Sequence, residues 1–332
     1  FTEVGKVTGQ LPGKSFSVET VGGIIAGIMI SIPGAGILNT YQALLIITLM
    51  GITWSLLTFC IKNTTGKLVL KTGVLLLVSL VIIFPPDFIF RQLLLKGIRV
   101  TETFDTPYGN ITKGEYHGEA STWYNQRLIT YSSDAAESEE DIHYGMLQTD
   151  DPATVLLISG SAGSRIREIS KYDIGELVYV ERDPALTADI ERDEKDEKVL
   201  LTVINDDAFS YIRETGRKFD AVIMLLPPPS SLSLNRYYTV EFFRSVKKIM
   251  NEGAVFSCSP GINPNYFNSE AVRLYSSVFN SMKAVFGNVV PVAGIKLYFI
   301  ASDDEISTAF CRLTDEKERR NSYVCSDYLS DD

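Results

Sequence analysis

The chain is poor in the residues that most often carry chemistry. Its 332 residues include only two histidines, His117 and His143, so a serine–histidine or cysteine–histidine triad has few ways to form. There are four cysteines, Cys60, Cys258, Cys311 and Cys325, and no C-x-x-C spacing, which argues against structural zinc or another bound metal. Cys311 and Cys325 read either as two reduced thiols or as a pair in an oxidising compartment. Positive charge is also short. A formal net charge of −10 argues against nucleic acid as a partner. The chain opens on Phe1 rather than Met, which predicts sequence upstream.

Apolar runs, by contrast, are plentiful at the N-terminal end. Val18 to Leu38, Tyr41 to Ile61 and Leu68 to Phe84 each approach the roughly 20 residues that a spanning helix needs. The first holds Gly22, Gly23, Gly27, Gly34 and Gly36, small residues that let membrane helices approach closely. In the third, Lys71 can snorkel to the headgroups. A buried hairpin of a soluble protein and a signal peptide are the alternatives, and three runs in succession weigh against both. Residues 1–95 are therefore expected to form a multi-pass transmembrane region of about three spans, with the lipid bilayer, of a bacterial inner membrane, as partner. Lys6, Lys14, Lys62, Lys67 and Lys71 flank one side of these spans, while Arg91, Lys96 and Arg99 pull the other way. The side occupied by the soluble part stays open.

Beyond them the pattern changes twice. Residues 96–135 hold short alternating runs parted by Gly and Asn, the pattern of a small antiparallel β-domain. Residues 136–303 alternate near-continuous apolar strands with helices, as in a mostly parallel sheet covered on both faces. Residues 304–332 form a polar tail with no assigned element. The expected fold is α/β: a Rossmann-like, class I methyltransferase-type sheet after a small β-domain and N-terminal membrane helices.

The first strand of the larger domain runs into "SGSAGSR", where Gly160, Ser161 and Gly163 let a backbone approach a ligand at a helix N-terminus. The second strand ends at Glu181, close to the ~20-residue offset at which an acid meets a ribose hydroxyl pair. The third ends in "INDDAF", placing Asp206, Asp207 and Ala208 at the same sheet edge, where an acid can accept from an adenine amino group. Together they point to an adenosine-type ligand. Glycines that merely serve turns and acids that merely cap helices are the plainer reading. A nicotinamide dinucleotide site fits less well, because "GSAGSR" lacks two glycines of G-x-G-x-x-G.

These residues resemble the spermidine/spermine synthase family, the polyamine aminopropyltransferases, and in particular its membrane-fused bacterial branch. "TPYGNITKGEYHG", "EEDIHYGMLQ", "VLLISGSAGSRIREISKY", "VYVERDP", "NDDAFSYI", "FDAVIMLLPPP" and "LNRYYTVEFF" carry the resemblance in order. It implies a small β-domain on a methyltransferase-type sheet. It also implies transfer of an aminopropyl group from decarboxylated S-adenosylmethionine to an amine, leaving methylthioadenosine. Glu181 matches the family's ribose acid, Asp207 with Ala208 its adenine pair, and Gly160 and Gly163 its glycine loop. Association through the β-domain as a homo-oligomer is implied as well, whereas a membrane complex belongs to the scaffold function weighed below.

The amine half of the pattern departs. Ala162 stands where the family usually has an acid, and "LLPPPSS" puts Leu225 and Pro228 where it has two more. A charged hydrogen bond contributes about 1.5–3 kcal/mol and a general base about 10²–10⁴ in rate, so ordinary aminopropyl transfer is doubtful on this reading. Tyr108, His143, Tyr144, Tyr237 and Tyr238 could stand in but read first as packing, and no catalytic residue is assigned. Three functions remain in competition: a nucleoside-binding protein without ordinary transfer, a non-catalytic scaffold of a membrane complex, and an active transferase taking acids from elsewhere.

Overall fold

A computed structural model of the chain describes residues 16–17, 19–25, 27–28, 38–60, 62–160, 162–188, 199–261, 268–319 and 321–325. It divides into two units, Phe1–Leu128 and Ile129–Asp332.

In the first unit, α1 (Thr40–Ser55) ends in a π-helical turn, Leu56–Cys60, and α2 (Thr64–Ile83) follows from an Asn63 cap. The segments Thr40–Thr58 and Thr64–Ile83 are 19 and 20 residues long and apolar enough to cross a membrane, and almost none of either is buried. Most of the first predicted span, Val18 to Leu38, lies outside the described residues. The short helix α3 (Asp87–Leu94) leads into β1 (Arg99–Asp105), β2 (Asn110–Tyr116) and β3 (Glu119–Tyr124), an antiparallel sheet. β4 (Arg127–Tyr131) is next in its order and carries the chain across the division.

The sheet is bolted to one end of the helix pair. Asp105 Oδ2 accepts from both the backbone N–H and the hydroxyl of Thr40, each at 2.6 Å, and Asp87 Oδ1 accepts from Tyr41 N–H. Both carboxylates therefore meet orphan donors of the α1 N-terminus, where the helix dipole favours negative charge. Buried Gln42 donates to the carbonyls of Val81 and Ile82, tying the start of α1 to the end of α2. Arg91 is buried, faces Asp105 at 3.7 Å and lies over the Tyr41 ring.

The second unit begins with α4 (Ala135–Met146) and continues as β5 (Thr154–Ile158), α5 (Ala162–Ile169), β6 (Glu176–Val180), β7 (Leu200–Ile204), α6 (Ala208–Glu214), β8 (Phe219–Met224), α7 (Leu232–Asn235), α8 (Val240–Lys248), β9 (Met250–Cys258), α9 (Ser269–Lys283), β10 (Asn288–Ala293), β11 (Leu297–Ser302) and α10 (Phe310–Glu316). The strands form one sheet in the order β10-β11-β9-β8-β5-β6-β7. β11 runs antiparallel to both neighbours, and the β9 to β7 side is parallel. Strand residues alternate between two cores. Leu156, Ile158, Val178 and Val180 pack on one side with Phe242 and Phe243 of α8, while Val155, Leu157, Leu177 and Tyr179 pack on the other with Ile142 and Ile166. Period-2 alternation with both faces apolar is why these strands read as continuous hydrophobic runs.

After β6 a 3₁₀ turn runs over Pro184–Leu186, and residues 189–198 lie outside the described residues. The tail left without an element contains α10 and a strap beyond it. Buried Glu139 of α4 accepts three successive backbone N–H groups of that strap, from Ser322, Tyr323 and Val324, at 2.8 to 3.0 Å. Cys311 and Cys325 are not joined by a disulfide.

Candidate functional site

The chain leaves β5 outward to β6 and β7, then returns to the other side of β5 as β8. The crevice at the carboxyl ends of β5 and β8 is therefore the topological switch point, where open α/β sheets take their ligands. Ser159 and Gly160 turn the chain there with φ of 59° and 92°. Glycine adopts such angles freely, and Ser159 does so at a cost. A Cβ placed on Gly160 would stand 2.3 Å from Cβ of Leu225, the first residue after β8. Leu225 thus closes directly over the glycine turn.

The proline loop is held equally firmly. The buried Tyr238 hydroxyl donates to the carbonyl of Leu226 or Pro227, 3.0 Å from each. Gly261, after β9, also approaches this loop. A Cβ there would stand 2.9 Å from Cδ of Pro228. Leu225 and Pro228, the two apolar residues at positions where the resemblance calls for acids, are both packed against glycines.

The residues expected to hold a nucleoside fall along one edge. Gly160 lies just beyond β5, Gly163 lies in the first turn of α5, Glu181 follows β6, and Asp206, Asp207 and Ala208 lead from β7 into α6. Ser161 lies outside the described residues. Glu181 is 6 % exposed. Its Oε1 accepts from the N–H groups of Arg182 at 2.8 Å and Asp183 at 3.3 Å, while its Oε2 accepts from the Ser159 hydroxyl at 2.8 Å and Tyr179 OH at 3.4 Å. Burial pushes the Glu181 carboxyl above its usual range, and the Ser159 bond offsets part of that rise.

Asp207 is similarly occupied. Its Oδ1 caps α6, accepting from Phe209 and Ser210 N–H, and its Oδ2 takes the Tyr237 hydroxyl at 2.6 Å and the Arg236 guanidinium. Burial raises this carboxyl, but the Tyr237, Ser210 and Arg236 contacts outweigh it and hold Asp207 below the ordinary value. Asp206 is exposed, and its side chain accepts from Asp207 N–H. An ionised carboxylate has about four acceptor sites. Glu181 and Asp207 each have them filled by their own chain.

The other candidates scatter. His143 is completely buried on α4, with Nδ1 2.6 Å from Tyr172 OH and Nε2 2.8 Å from Glu168 Oε2. Burial lowers its pKa despite the Glu168 contact. Tyr144 packs against Tyr298 and Phe310. Tyr108 belongs to the first unit and is 43 % exposed.

A buried charge network that sequence reading missed lies along α4. Arg165 spans Asp134 and Asp141 at 2.5 and 3.0 Å, and Lys296 spans Glu137 and Asp141 at 2.6 and 2.9 Å. Glu140 accepts from Ile295 N–H at 2.7 Å, and burial pushes its carboxyl up to about 7. The acidic run "ESEED" was its only visible sign, since no local feature announces partners as remote as Arg165 and Lys296.

Residues 135–308 match the spermine/spermidine synthase domain, which is more than half of the chain. The chain belongs to the spermine/spermidine synthase family. It is 26 % identical over 262 residues to the polyamine aminopropyltransferase of Leptospira interrogans, covering 74 % of this chain and 53 % of that protein. With the Korarchaeum cryptofilum polyamine aminopropyltransferase it shares 27 % identity over 190 residues, 55 % of this chain and 56 % of the other. The chain thus spans about half the length of these curated relatives. Spermidine synthase from Thermotoga maritima superposes with a TM-score of 0.53 at 18 % identity, covering 63 % of this chain and 74 % of that one. A spermidine synthase in complex with the transition state analogue AdoDATO gives 0.52 at 18 % identity, over 63 % and 73 % of the two chains. These superpositions support the α/β fold with its small antiparallel sheet.

Proposed function

We propose that this family member is a membrane-anchored, non-transferring form of the synthase fold, serving as a scaffold or interaction module of a membrane complex. The saturation of Glu181 and Asp207 by their own chain carries this reading. A ribose or an adenine would have to displace Ser159, Arg236 or Tyr237 before it could bind. At the switch point Leu225 and Pro228 present apolar surface where a cationic donor and an amine would need carboxylates. The two exposed apolar helices support anchorage in a bilayer.

Nucleoside binding is the second reading. It is favoured by the placement of Glu181 and Asp207 just beyond the paired strand ends Val180 and Ile204. Arg236 is 40 % exposed, so its pairing with Asp207 contributes only about 0–1 kcal/mol and could yield to a ligand. Calorimetry with 5′-methylthioadenosine on the wild type, Arg236→Ala and Glu181→Gln separates the two readings. The scaffold reading expects no binding heat in any of them. Heat that is lost in Glu181→Gln and enhanced in Arg236→Ala would replace it with the second. Spermidine formed from putrescine and decarboxylated S-adenosylmethionine at ordinary enzyme rates would overturn the scaffold reading and the loss of transfer alike.

A further inference from the structure

The two apolar helices carry a charge asymmetry, and the small sheet is bolted to one end of them. From Thr40 to Pro86 the chain contains no Asp or Glu, and its only charged residues are Lys62, Lys67 and Lys71. All three lie at or just beyond the α1–α2 turn, with Lys62 and Lys71 exposed and Lys67 half-buried. At the other end of the pair the charges are mixed. Arg91 is buried against Asp105, and exposed Arg99 faces Glu115 at 3.7 Å. Lys96 is exposed there, and the same sheet carries Glu102 and Glu119. α2 has 20 residues, a length of ~30 Å, which is the thickness of a bilayer core. A turn at one end and a sheet held by Asp105, Asp87 and Gln42 at the other therefore face opposite leaflets.

Building on the membrane-anchored reading, we propose that the lysine turn docks on anionic lipid headgroups of the cytoplasmic leaflet and that the small sheet stands on the opposite side of the bilayer. The turn offers Lys62, Lys67 and Lys71 with no carboxylate in the hairpin to neutralise them, the polybasic pattern that an anionic leaflet attracts, whereas Arg91 and Arg99 at the other end face Asp105 and Glu115. Lys71, farther into α2, reaches the same headgroups by extending its stem toward the turn.

The test uses the full chain in native membranes. Native Cys60 is exposed beside the turn and reports on it, and a Glu119→Cys variant reports on the exposed edge of the sheet. An impermeant maleimide is applied to sealed right-side-out and inverted vesicles, and labelled peptides are read by mass. The expected result is Cys60 labelled only in inverted vesicles and the Glu119→Cys thiol only in right-side-out ones. Replacing Lys62, Lys67 and Lys71 with Gln should then give both orientations in one preparation. The reverse labelling pattern, labelling of both thiols from one side, or an orientation indifferent to the three lysines would overturn the proposal. Release of the chain by alkaline carbonate would instead refute the anchoring on which it rests.

Discussion

The Ser159 hydroxyl donates to Oε2 of Glu181 across 2.8 Å from a backbone held at φ 59°. The bond and the backbone act in opposite directions on stability. Ser159→Ala loses the donor while keeping the strained angle, and should cost about 1–3 kcal/mol, the penalty for leaving a buried acceptor short. Ser159→Gly loses the same donor but relieves the angle, and should cost about 1 kcal/mol less. Urea denaturation of the pair, with unchanged m values, separates the two effects.

Glu140 should impose a pH dependence of its own. Burial raises its carboxyl from 4.5 to about 7 in the folded state. The folded protein thus holds the proton more tightly than the unfolded chain, and stability falls as pH rises from 4.5 toward 7. The shift corresponds to at most roughly 3 kcal/mol. Glu140→Gln, which keeps an acceptor for Ile295 N–H, should match the wild type near pH 4 and exceed it above pH 7. Parallel melting curves across that range check this. Equal slopes for the two proteins would rule it out.

Asp207 should behave in the opposite sense. Its carboxyl lies below the model-compound value of 3.8, so its stabilising effect is present at neutral pH and fades as pH drops through the folded value. Tyr237→Phe removes a 2.6 Å donor. It should cost about 1–3 kcal/mol at pH 7 and less at pH 3, measurable by denaturant titration at both values.

Gly160→Ala should be severe, because the new methyl meets Leu225 at a backbone angle that L-residues avoid. A loss of about 2 kcal/mol or more is expected. Leu225→Ala in the same chain should restore part of it by removing the γ and δ carbons of that clash. Thermal unfolding of the two single variants and the double variant gives the coupling.

The strand alternation of the second unit was legible because both faces of each strand are apolar, and the position of Glu181 and Asp207 just beyond strand ends was legible with it. The engagement of those acids was not. Arg236 lies 29 residues from Asp207, and nothing in "LNRYY" announces that its guanidinium turns toward α6. The run "ESEED" shows only the acidic start of a helix, yet Glu139, Glu140 and Asp141 are all buried. Burying them takes Arg165, Lys296 and the backbone of the strap, partners that only the tertiary fold brings near. Within the tail, α10 was hidden by polarity, since a short helix anchored by one apolar edge has little periodicity to show.

The clasp between Glu139 and Ser322 joins residues 183 positions apart. A ribosome therefore finishes α4 long before it makes the amides that complete it. Until they emerge, Glu139 lacks its three backbone donors, and Lys171, 3.7 Å from Oε1, is left to answer the buried carboxylate with water. The second unit should accordingly mature late, after translation rather than during it, and a product broken off before Ser322 should be a ready target for quality-control proteases.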